Sequence, residues 1–349
     1  MARDLNAPVP VPPALELEAL SRYLREQVPQ LGDNIEYFQF PGGNSNLTYL
    51  VRSADQEFVL KREPPGAKAR SAHDMGREFR MLRAVGPHYG LAPDVVLLCE
   101  DSSVFGGAFL VMERVSGVVV RDAEADPAAL PARFEGLIDA LAALHVVDIT
   151  ADSLTSIPRS EGYRRRQTEG WAKRFRNAAT SGDGRAERVI AWLCENIPSD
   201  PERLSVVHND FKMDNLVWRA DAPNQLAAVL DWEMATIGDP LMDLACTLSF
   251  WVEPTDPPAR LALRSMPSAR AGVSSRQAAL DHYARRTGAR VADFRFYRCF
   301  GLFRRAAIEQ QKFHRFTTGE VQDERFRHLD RAVSTLLDEC ENIISARRG

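Results

Sequence analysis

Four polar side chains are crowded into the segment HNDFKMDN, which directly follows the apolar run LSVV. They are His208, Asp210, Lys212 and Asn215. A second apolar run, LAAVL, leads into Asp231, 21 residues after Asp210. Short apolar runs between polar loops predict strands. Two carboxylates and an amide therefore follow strand ends, where loops commonly carry functional groups.

This set of groups suits phosphoryl transfer from ATP, a reaction that depends on positioning and charge neutralisation. Asp210 can orient and accept the proton of an attacking hydroxyl. Asp231 and Asn215 supply the oxygen ligands that Mg²⁺ prefers. Lys212 can offset negative charge on the transferred group. The segment therefore predicts a phosphotransferase that uses ATP and Mg²⁺.

The order H-x-D-x-x-x-x-N, formed by His208, Asp210 and Asn215, resembles the catalytic loop of kinase-like enzymes. Followed by VLDWEMATIGDPLMDLA, it is similar to the aminoglycoside phosphotransferase and choline kinase-like family, above all to the kinase-like domains attached to acyl-CoA dehydrogenases. The resemblance implies that Asp210 is the catalytic aspartate and that Lys212 contacts the transferred phosphate. It also implies that Asn215 and Asp231 bind metal ions.

Neighbouring residues are expected to support this loop rather than to react. His208 is predicted to be a buried orienting residue, hydrogen-bonded to backbone, rather than a base. Asn209 stands where relatives often carry glycine, which could reshape the acceptor side without removing a chemical group. Asp239 is a good N-cap for a helix whose first residue is proline. The resemblance implies that Asp243 supports the catalytic loop.

The run EFVLKRE carries a lysine that could hold nucleotide phosphates. Period-two alternation places Val59 and Lys61 on one face of a strand. A single strand lysine usually belongs to a solvated face, but this one is followed 17 residues later by Glu78 on a predicted helix. In kinase-like folds such a pair holds the α- and β-phosphates. Asp74, one helical turn earlier, is the competing partner.

The segment PGGNSNLTYLV lies where a phosphate-covering loop is expected from the resemblance. Gly42 and Gly43 permit close backbone approach and unusual dihedral angles. Ser45 and Asn46 could donate hydrogen bonds to phosphate oxygens. Without the resemblance, the segment would be interpreted as a hairpin turn.

The run GAFLVMERVSG predicts an edge strand that continues into a linker between two lobes. The resemblance implies that backbone groups of Glu113 and Val115 meet the adenine edge of the nucleotide. The alternative is an ordinary junction between a strand and a loop.

The acceptor is less clearly encoded. The segment GYRRRQTEGWAKRF places five basic residues on one predicted helix, over residues 164–174. Such a run is usually a solvated face; the alternative is a wall that binds an anionic substrate. The resemblance favours a small-molecule hydroxyl acceptor such as a hydroxy acid or a hydroxyacyl-CoA. An aminoglycoside would instead favour an acidic pocket.

Two textures divide the chain. Short strand-like runs dominate up to Gly117, with helices expected over 14–27 and 72–85. Further helices are expected over 131–147, 164–178, 185–196, 276–286, 291–313 and 324–346, interrupted by a non-helical island over 204–239. We therefore expect an α+β, two-lobed, protein-kinase-like fold, with a small antiparallel β-sheet N-lobe containing one helix and a larger, mainly helical C-lobe. The expected division is a flexible Pro-rich arm (1–13), a nucleotide-binding N-lobe (14–115) and a C-lobe (116–349) with the catalytic loop and the metal and acceptor sites.

Composition excludes several other classes of protein. A chain of 349 residues with 45% hydrophobic and 26% charged residues is typical of a globular protein. A net charge of −4 disfavours nucleic acid as a partner, and no apolar run approaches the roughly 18 residues of a membrane span. Five dispersed cysteines and the absence of a secretory pattern favour a cytoplasmic protein. The oligomeric state and the choice between ATP and GTP stay open.

Three alternatives compete with an active small-molecule kinase. An inactive kinase-like nucleotide-binding or scaffold module would usually lack one of Lys61, Asp210, Asn215 and Asp231, all of which are present. A protein kinase is disfavoured because GxGxxG, DFG and APE are missing. A chain with this resemblance could also be labelled an acyl-CoA dehydrogenase, but the sequence contains no flavin-binding pattern.

Overall fold

A computed structural model describes residues 8–11, 17–40, 46–53, 56–63, 74–121, 126–159, 161–180, 182–201, 203–291 and 293–346. The strands are β1 (Val9–Pro10), β2 (Glu36–Gln39), β3 (Leu47–Ser53), β4 (Gln56–Arg62), β5 (Val95–Cys99), β6 (Phe109–Glu113), β7 (Val118–Val119), β8 (Ser205–Val207), β9 (Leu216–Trp218), β10 (Leu226–Val229) and β11 (Thr236–Gly238). The helices are α1 (Glu18–Gln27), α2 (Met75–Val85), α3 (Ser102–Phe105), α4 (Leu130–His145), α5 (Asp152–Thr155), α6 (Tyr163–Ala178), α7 (Gly184–Glu195), α8 (Pro240–Phe250), α9 (Pro258–Leu261), α10 (Arg276–Thr287), α11 (Arg295–Thr317) and α12 (Leu329–Ser345).

The predicted helices are confirmed, with shifts of a few residues at their ends. α2 begins at Met75 because the Asp74 carboxylate caps it, accepting a hydrogen bond from the Arg77 N–H at 2.8 Å. The helix expected over 324–346 begins only at Leu329, since a separate 3₁₀ turn occupies Glu324–Phe326. Residues 14–16 of the first expected helix, and most of the expected arm over 1–13, lie outside the described residues.

The chain forms two compact units, the first of which contains Met1–Val119, Thr150–Ile157 and Leu216–Ala235. Strands β1 to β6 of this unit form an antiparallel sheet in the order β1-β2-β3-β4-β6-β5. Leu20 and Leu24 of α1 join Leu60 of β4 in a buried apolar cluster. Because side chains alternate along a strand, Lys61 points away from this cluster.

A second, smaller sheet of the first unit joins distant parts of the chain. β7 and β10 both pair with β9, antiparallel. A Cβ at Gly117, just before β7, would lie 2.4 Å from the Trp218 carbonyl oxygen, so this approach requires glycine. The expected division gave all of 116–349 to the C-lobe. The observed unit differs because β9 and β10 complete a sheet with β7.

The second unit contains Val120–Ile149, Pro158–Asn215 and Thr236–Gly349, and it is mainly helical. α11 packs against α6, α8 and α12. α8 approaches so closely that a Cβ on Gly301 would lie 2.3 Å from the Ala245 carbonyl oxygen. β8 pairs with β11, with Val207 opposite Thr236, and this pairing fixes the start of the polar loop at 208–215. Among the described residues, no helix has both the length and the apolar composition needed to cross a membrane.

Candidate functional site

Lys61 is held between two carboxylates within the first unit. Its Nζ donates to Glu78 Oε1 and Oε2 at 2.7 and 2.8 Å, and to Asp231 Oδ1 at 3.0 Å. The side chains of Lys61 and Glu78 are only 11% and 1% exposed. The competing partner, Asp74, is used as the N-cap of α2 instead. The structure therefore contains the Lys61–Glu78 pair, and its role in holding phosphates stays a prediction.

Asp231 lies at a strained turn that directs its carboxylate towards Lys61. Its φ of 69° is in the left-handed region, which costs a residue with a side chain about 1–2 kcal/mol. The following residue anchors the turn: the Trp232 backbone N–H donates to Glu78 Oε1 at 3.3 Å, and its buried indole N–H donates to the Val229 carbonyl at 2.8 Å. Such strain is found most often at functional positions. The Asp231 side chain is 33% exposed, so its carboxylate reaches solvent.

Glu233 is a member of this cluster that the sequence interpretation missed. Its Oε2 accepts a hydrogen bond from Asn46 Nδ2 at 2.8 Å. Burial and, after it, the charge of Asp231 together raise the pKa of Glu233 to about 7. The spacing Asp-x-Glu in DWE was the available signal, since residues two apart can converge at a tight turn.

The Lys61 ammonium thus contacts two carboxylates, and the charge of Glu233 acts on it as well. Burial alone lowers the pKa of Lys61, but the charges of Asp231 and Glu78 outweigh it and raise this pKa above its ordinary value. The pKa of Glu233 is raised by burial first and then by the negative charge of Asp231. A divalent cation beside Asp231 would neutralise that negative charge.

The oxygen donors of the cluster fit Mg²⁺. Within the described ranges, no three His, Cys, Asp or Glu side chains converge into a closed metal cage. Mg²⁺ usually takes one or two carboxylates and completes its shell with water and substrate phosphates. A single solvent-reaching carboxylate, Asp231, suits that mode of binding.

The predicted phosphate-covering loop is described only at its end. Gly42, Gly43 and Ser45 lie outside the described residues. Asn46 is 5% exposed, and its amide donates to Glu233. The predicted contact from the Asn46 side chain to a phosphate stays a prediction.

The predicted adenine-binding segment follows β6. The Glu113 N–H donates to the Asp94 carbonyl at 2.9 Å, so only the Glu113 carbonyl is left for the predicted contact. Val115 is partly exposed, and its N–H has no backbone acceptor among the residues that the structure describes. These two groups remain the predicted contacts to adenine.

The catalytic loop lies in the second unit and is internally hydrogen-bonded. Asn215 Nδ2 donates to the Asp210 carbonyl at 2.8 Å and to Asp210 Oδ2 at 3.0 Å. The amide oxygen of Asn215 is therefore the atom that remains for a metal ion. Lys212 Nζ lies 3.1 Å from Asp210 Oδ2, which places its positive charge beside the predicted catalytic carboxylate.

His208 is fully buried and makes contacts that orient the loop. Its Nδ1 accepts a hydrogen bond from the Asp210 N–H at 3.3 Å, and its ring packs edge-on against Phe211. An Nδ1 atom that accepts from backbone is not the donor site of that ring. This geometry suits an orienting residue rather than a proton acceptor for substrate.

Asp243 ties the start of the loop to helix α8. It is fully buried and accepts from the His208 N–H at 2.6 Å, the Asn209 N–H at 2.8 Å and His145 Nε2 at 3.1 Å. Burial alone would raise the Asp243 pKa, but the hydrogen bond and charge of His145 hold it below its ordinary value. These are the contacts that a supporting role requires.

The conformation of Asn209 is one that glycine would also adopt. Its φ is 65°, in the left-handed region that favours glycine and, after it, asparagine. Its side-chain Oδ1 accepts from the Tyr163 hydroxyl at 3.3 Å. Asparagine therefore preserves the turn and adds a hydrogen bond to α6.

The predicted N-cap at Asp239 is confirmed. Its carboxylate accepts from the Leu241 N–H at 2.9 Å, and α8 begins at Pro240. The same carboxylate is paired with Arg164, which is 5% exposed. Arg164 is thus a buried structural residue, whereas Arg165 and the remaining basic residues of α6 are exposed.

Comparison with solved structures defines the class of protein to which this fold belongs. A provisionally named aminoglycoside phosphotransferase from Ralstonia eutropha JMP134 has a TM-score of 0.80 and 28% identity, over 96% of this chain and 100% of that one. A thermostable mutant of aminoglycoside phosphotransferase APH(4)-Ia, in complex with ADP and hygromycin B, has a TM-score of 0.62 and 16% identity, over 95% and 99% of the two chains. Choline kinase from Cryptosporidium parvum Iowa II has a TM-score of 0.62 and 13% identity, over 94% and 96%. The chain therefore has the predicted α+β kinase-like fold.

Comparison with known sequences gives the family. The profile of the phosphotransferase enzyme family matches residues 36–286, and this chain belongs to that family. Acyl-CoA dehydrogenase family member 10 of Mus musculus is 35% identical over 314 residues, which are 88% of this chain and 29% of that protein. Acyl-CoA dehydrogenase family member 11 of Homo sapiens is 30% identical over 316 residues, which are 88% of this chain and 40% of that protein. The chain spans less than half the length of these relatives. The predicted similarity to acyl-CoA dehydrogenase-associated phosphotransferases is confirmed.

Proposed function

We propose that this chain transfers the γ-phosphoryl group of ATP, with Mg²⁺, to a hydroxyl of a small molecule. The observation that carries the proposal is the Lys61 ammonium, fixed by Glu78 and Asp231 at 2.7 and 3.0 Å. This arrangement presents a buried cation and a solvent-reaching carboxylate for nucleotide phosphates and their metal ion. The ADP bound in the APH(4)-Ia structure supports the use of a nucleotide.

In the proposed reaction, Asp210 orients the acceptor hydroxyl and accepts its proton. The hydroxyl oxygen forms a bond to the γ-phosphorus while the bond from that phosphorus to the β-phosphate oxygen breaks, and ADP leaves. Lys61 binds the phosphates that depart with ADP, and Lys212 offsets charge on the transferred group. Bound Mg²⁺, with Asp231 and Asn215 as its proposed protein ligands, would neutralise phosphate charge.

The proposed acceptors are hydroxy acids and hydroxyacyl-CoA thioesters. The names of the relatives, acyl-CoA dehydrogenase family members 10 and 11, support this class. Those names belong to longer proteins, of which the matched regions are 29% and 40%. We expect neither nucleic acid nor a membrane to be a partner, and we propose a cytoplasmic location.

The proposal is tested by thermal unfolding with Mg·ATP, with ATP plus EDTA, and without ligand. A ligand at 100 times its Kd stabilises the native state by about 2.7 kcal/mol. We expect a Mg²⁺-dependent rise in Tm that Asp231→Ala abolishes and Asp210→Ala keeps. Asp221→Ala is the matched control, because Asp221 is exposed on the turn between β9 and β10 and pairs only with Arg219 among the described residues.

Turnover then separates an active kinase from an inactive nucleotide-binding module. With an acceptor that supports ADP formation, Asp210→Ala should lower the rate by about 10²–10⁴, the usual contribution of a general base. Wild-type turnover in both Asp210→Ala and Asp231→Ala would show that the site is assigned wrongly. No Tm shift at millimolar Mg·ATP would overturn the proposed function.

A further inference from the structure

A buried arginine without a carboxylate partner lies in the same unit as the catalytic loop. Arg304 of α11 is 4% exposed. It forms no ion pair with any carboxylate in the part of the chain that the structure describes. Its contacts are the Trp171 ring, whose centroid lies 4.9 Å from the guanidinium carbon, and the Cys246 thiol. A buried charge is costly unless it is paired. A bound anion would therefore stabilise this guanidinium.

The ring that Arg304 contacts carries a second guanidinium. The Arg174 guanidinium carbon lies 4.6 Å from the Trp171 centroid. Desolvation and the positive charge of Arg304 both lower the pKa of Arg174. The Trp171 Nε1–H is buried and has no hydrogen-bond partner among the described residues. Two like charges and an unsatisfied donor therefore meet at one indole.

This cluster lies close to the residues that shape the catalytic loop. The Tyr163 hydroxyl donates to Asn209, the residue before Asp210, at 3.3 Å, and Arg304 acts on Tyr163 electrostatically. Burial raises the pKa of Cys246 to about 11; the charge of Arg304 opposes this rise and the charge of Asp210 adds to it. Cys246 therefore lies within electrostatic range of both Arg304 and the predicted catalytic carboxylate.

The buried carboxylates of the same region are already engaged. Asp239 pairs with Arg164, and Asp243 pairs with His145 at 3.1 Å. Neither of these two carboxylates is therefore the counter-ion of Arg304. A polycationic acceptor would need the opposite arrangement.

We infer that Arg304, with Trp171 and Arg174, binds an acidic group of the acceptor, a carboxylate or a phosphate. The inference rests on the proposed function, because it assigns the cluster to the substrate whose hydroxyl Asp210 activates. The guanidinium fork suits both oxyanions, since each can accept two parallel N–H hydrogen bonds. Arg304 is therefore a specificity-determining residue that selects acidic hydroxyl compounds.

The test uses tryptophan emission of the full chain, without nucleotide and at constant ionic strength. The probes are 3-hydroxybutyrate, inorganic phosphate and the uncharged 3-hydroxybutyramide. We expect a saturable change with at least one anion and none with the amide. The response to 3-hydroxybutyrate or to phosphate then identifies which oxyanion is bound.

Four variants make the assignment specific. Arg304→Gln should lower the affinity for the anion about tenfold to a hundredfold, the usual effect of losing a charged hydrogen-bond donor. Arg304→Lys keeps the charge but not the guanidinium fork. Its affinity for the anion should therefore lie between those of the wild type and Arg304→Gln. Trp171→Phe should abolish the response, and Arg298→Gln, on the exposed side of the same helix, should leave it unchanged.

The Mg·ATP thermal shift, measured on the same samples, separates the two hypotheses. A normal shift with identical anion titrations of wild type and Arg304→Gln would overturn the acidic-acceptor inference alone. The acidic-acceptor inference is also overturned if neither anion changes the tryptophan emission of the wild type. Absence of the Mg·ATP shift in the wild type would overturn the proposed function, whatever the anions do.

Discussion

Replacing Glu233 by glutamine should make the protein more stable at alkaline pH and leave it nearly unchanged at acidic pH. The side chain is largely buried beside Asp231 and Glu78, and burial raises its pKa from 4.5 to about 7. Below this pKa the folded state carries a neutral carboxylic acid, which glutamine imitates. Glutamine can also accept the hydrogen bond that Asn46 Nδ2 donates at 2.8 Å.

The size of the effect follows from the difference in proton uptake. Between pH 4.5 and pH 7 the folded protein holds a proton on Glu233 that the unfolded chain has released. The free energy of unfolding therefore falls as the pH rises through this window. At about 1.4 kcal/mol per pH unit, the loss between pH 5 and pH 8 is about 2.5 kcal/mol. Glu233→Gln removes this loss.

Urea unfolding at pH 5 and pH 8 gives the free energy of unfolding of Glu233→Gln and of wild type, and the difference between the two proteins is compared at the two pH values. The gap between Glu233→Gln and wild type should grow by about 2.5 kcal/mol from pH 5 to pH 8. Glu36→Gln, at an exposed position on β2, is the control and should show no such growth. A change below about 0.5 kcal/mol, or one of opposite sign, would refute the assigned burial and charge environment. Saturating Mg·ATP should reduce the difference, since a nearby divalent cation favours the ionised carboxylate.

Three further substitutions test the framework of the catalytic-loop unit. Asn209→Val should be less stable than Asn209→Gly by about 1–2 kcal/mol because φ is 65°; equal urea midpoints would contradict the left-handed geometry. Asp243→Asn should lose about 1.5–3 kcal/mol as its charge-assisted hydrogen bonds, including the one from His145, weaken; an unchanged midpoint would show that the loop does not depend on them. Gly301→Ala should destabilise by about 1–3 kcal/mol despite the better helix propensity of alanine, since its Cβ would lie 2.3 Å from the Ala245 carbonyl oxygen. A Tm at or above wild type would argue against that close approach.

The parts of the fold that could be predicted depend on local chemistry. Alternation along β4 placed Lys61 on the face opposite Leu60, and the helical pattern after it placed Glu78 on α2. The pairing of Asp239 with Pro240 marked the start of α8, because capping depends on neighbouring residues only. The segment HNDFKMDN places His208, Asp210, Lys212 and Asn215 within eight residues, and the roles predicted for them stay predictions. Such patterns depend on neighbouring residues only, so they can be recognised without knowledge of the tertiary contacts.

The parts that could not be predicted depend on contacts between distant residues. Glu233 meets Asn46 across 187 positions of sequence. The raised pKa of Glu233 arises from burial and from the charge of Asp231, and burial is set by the whole fold. Arg304 lies in the middle of a predicted helix, and nothing in its local sequence indicates that it would be buried against Trp171. The boundary between units was also hidden, since β9 pairs with β7 about 100 positions earlier. Separation along the chain, rather than weak local signals, limited the prediction.

The first unit is built from three separate segments of the chain, so it cannot be exchanged as one continuous fragment. A fragment ending at Val119 would contain Lys61 and Glu78 but would lack Asp231, and β7 would lose its pairing partner. A chimera that exchanges the nucleotide-binding part must therefore carry Leu216–Ala235 with it. If only the first segment were transplanted, the ion-pair partner of Lys61 would have to come from the recipient protein instead of being Asp231. The two halves of this ion-pair cluster must be exchanged together although they lie 170 residues apart along the chain.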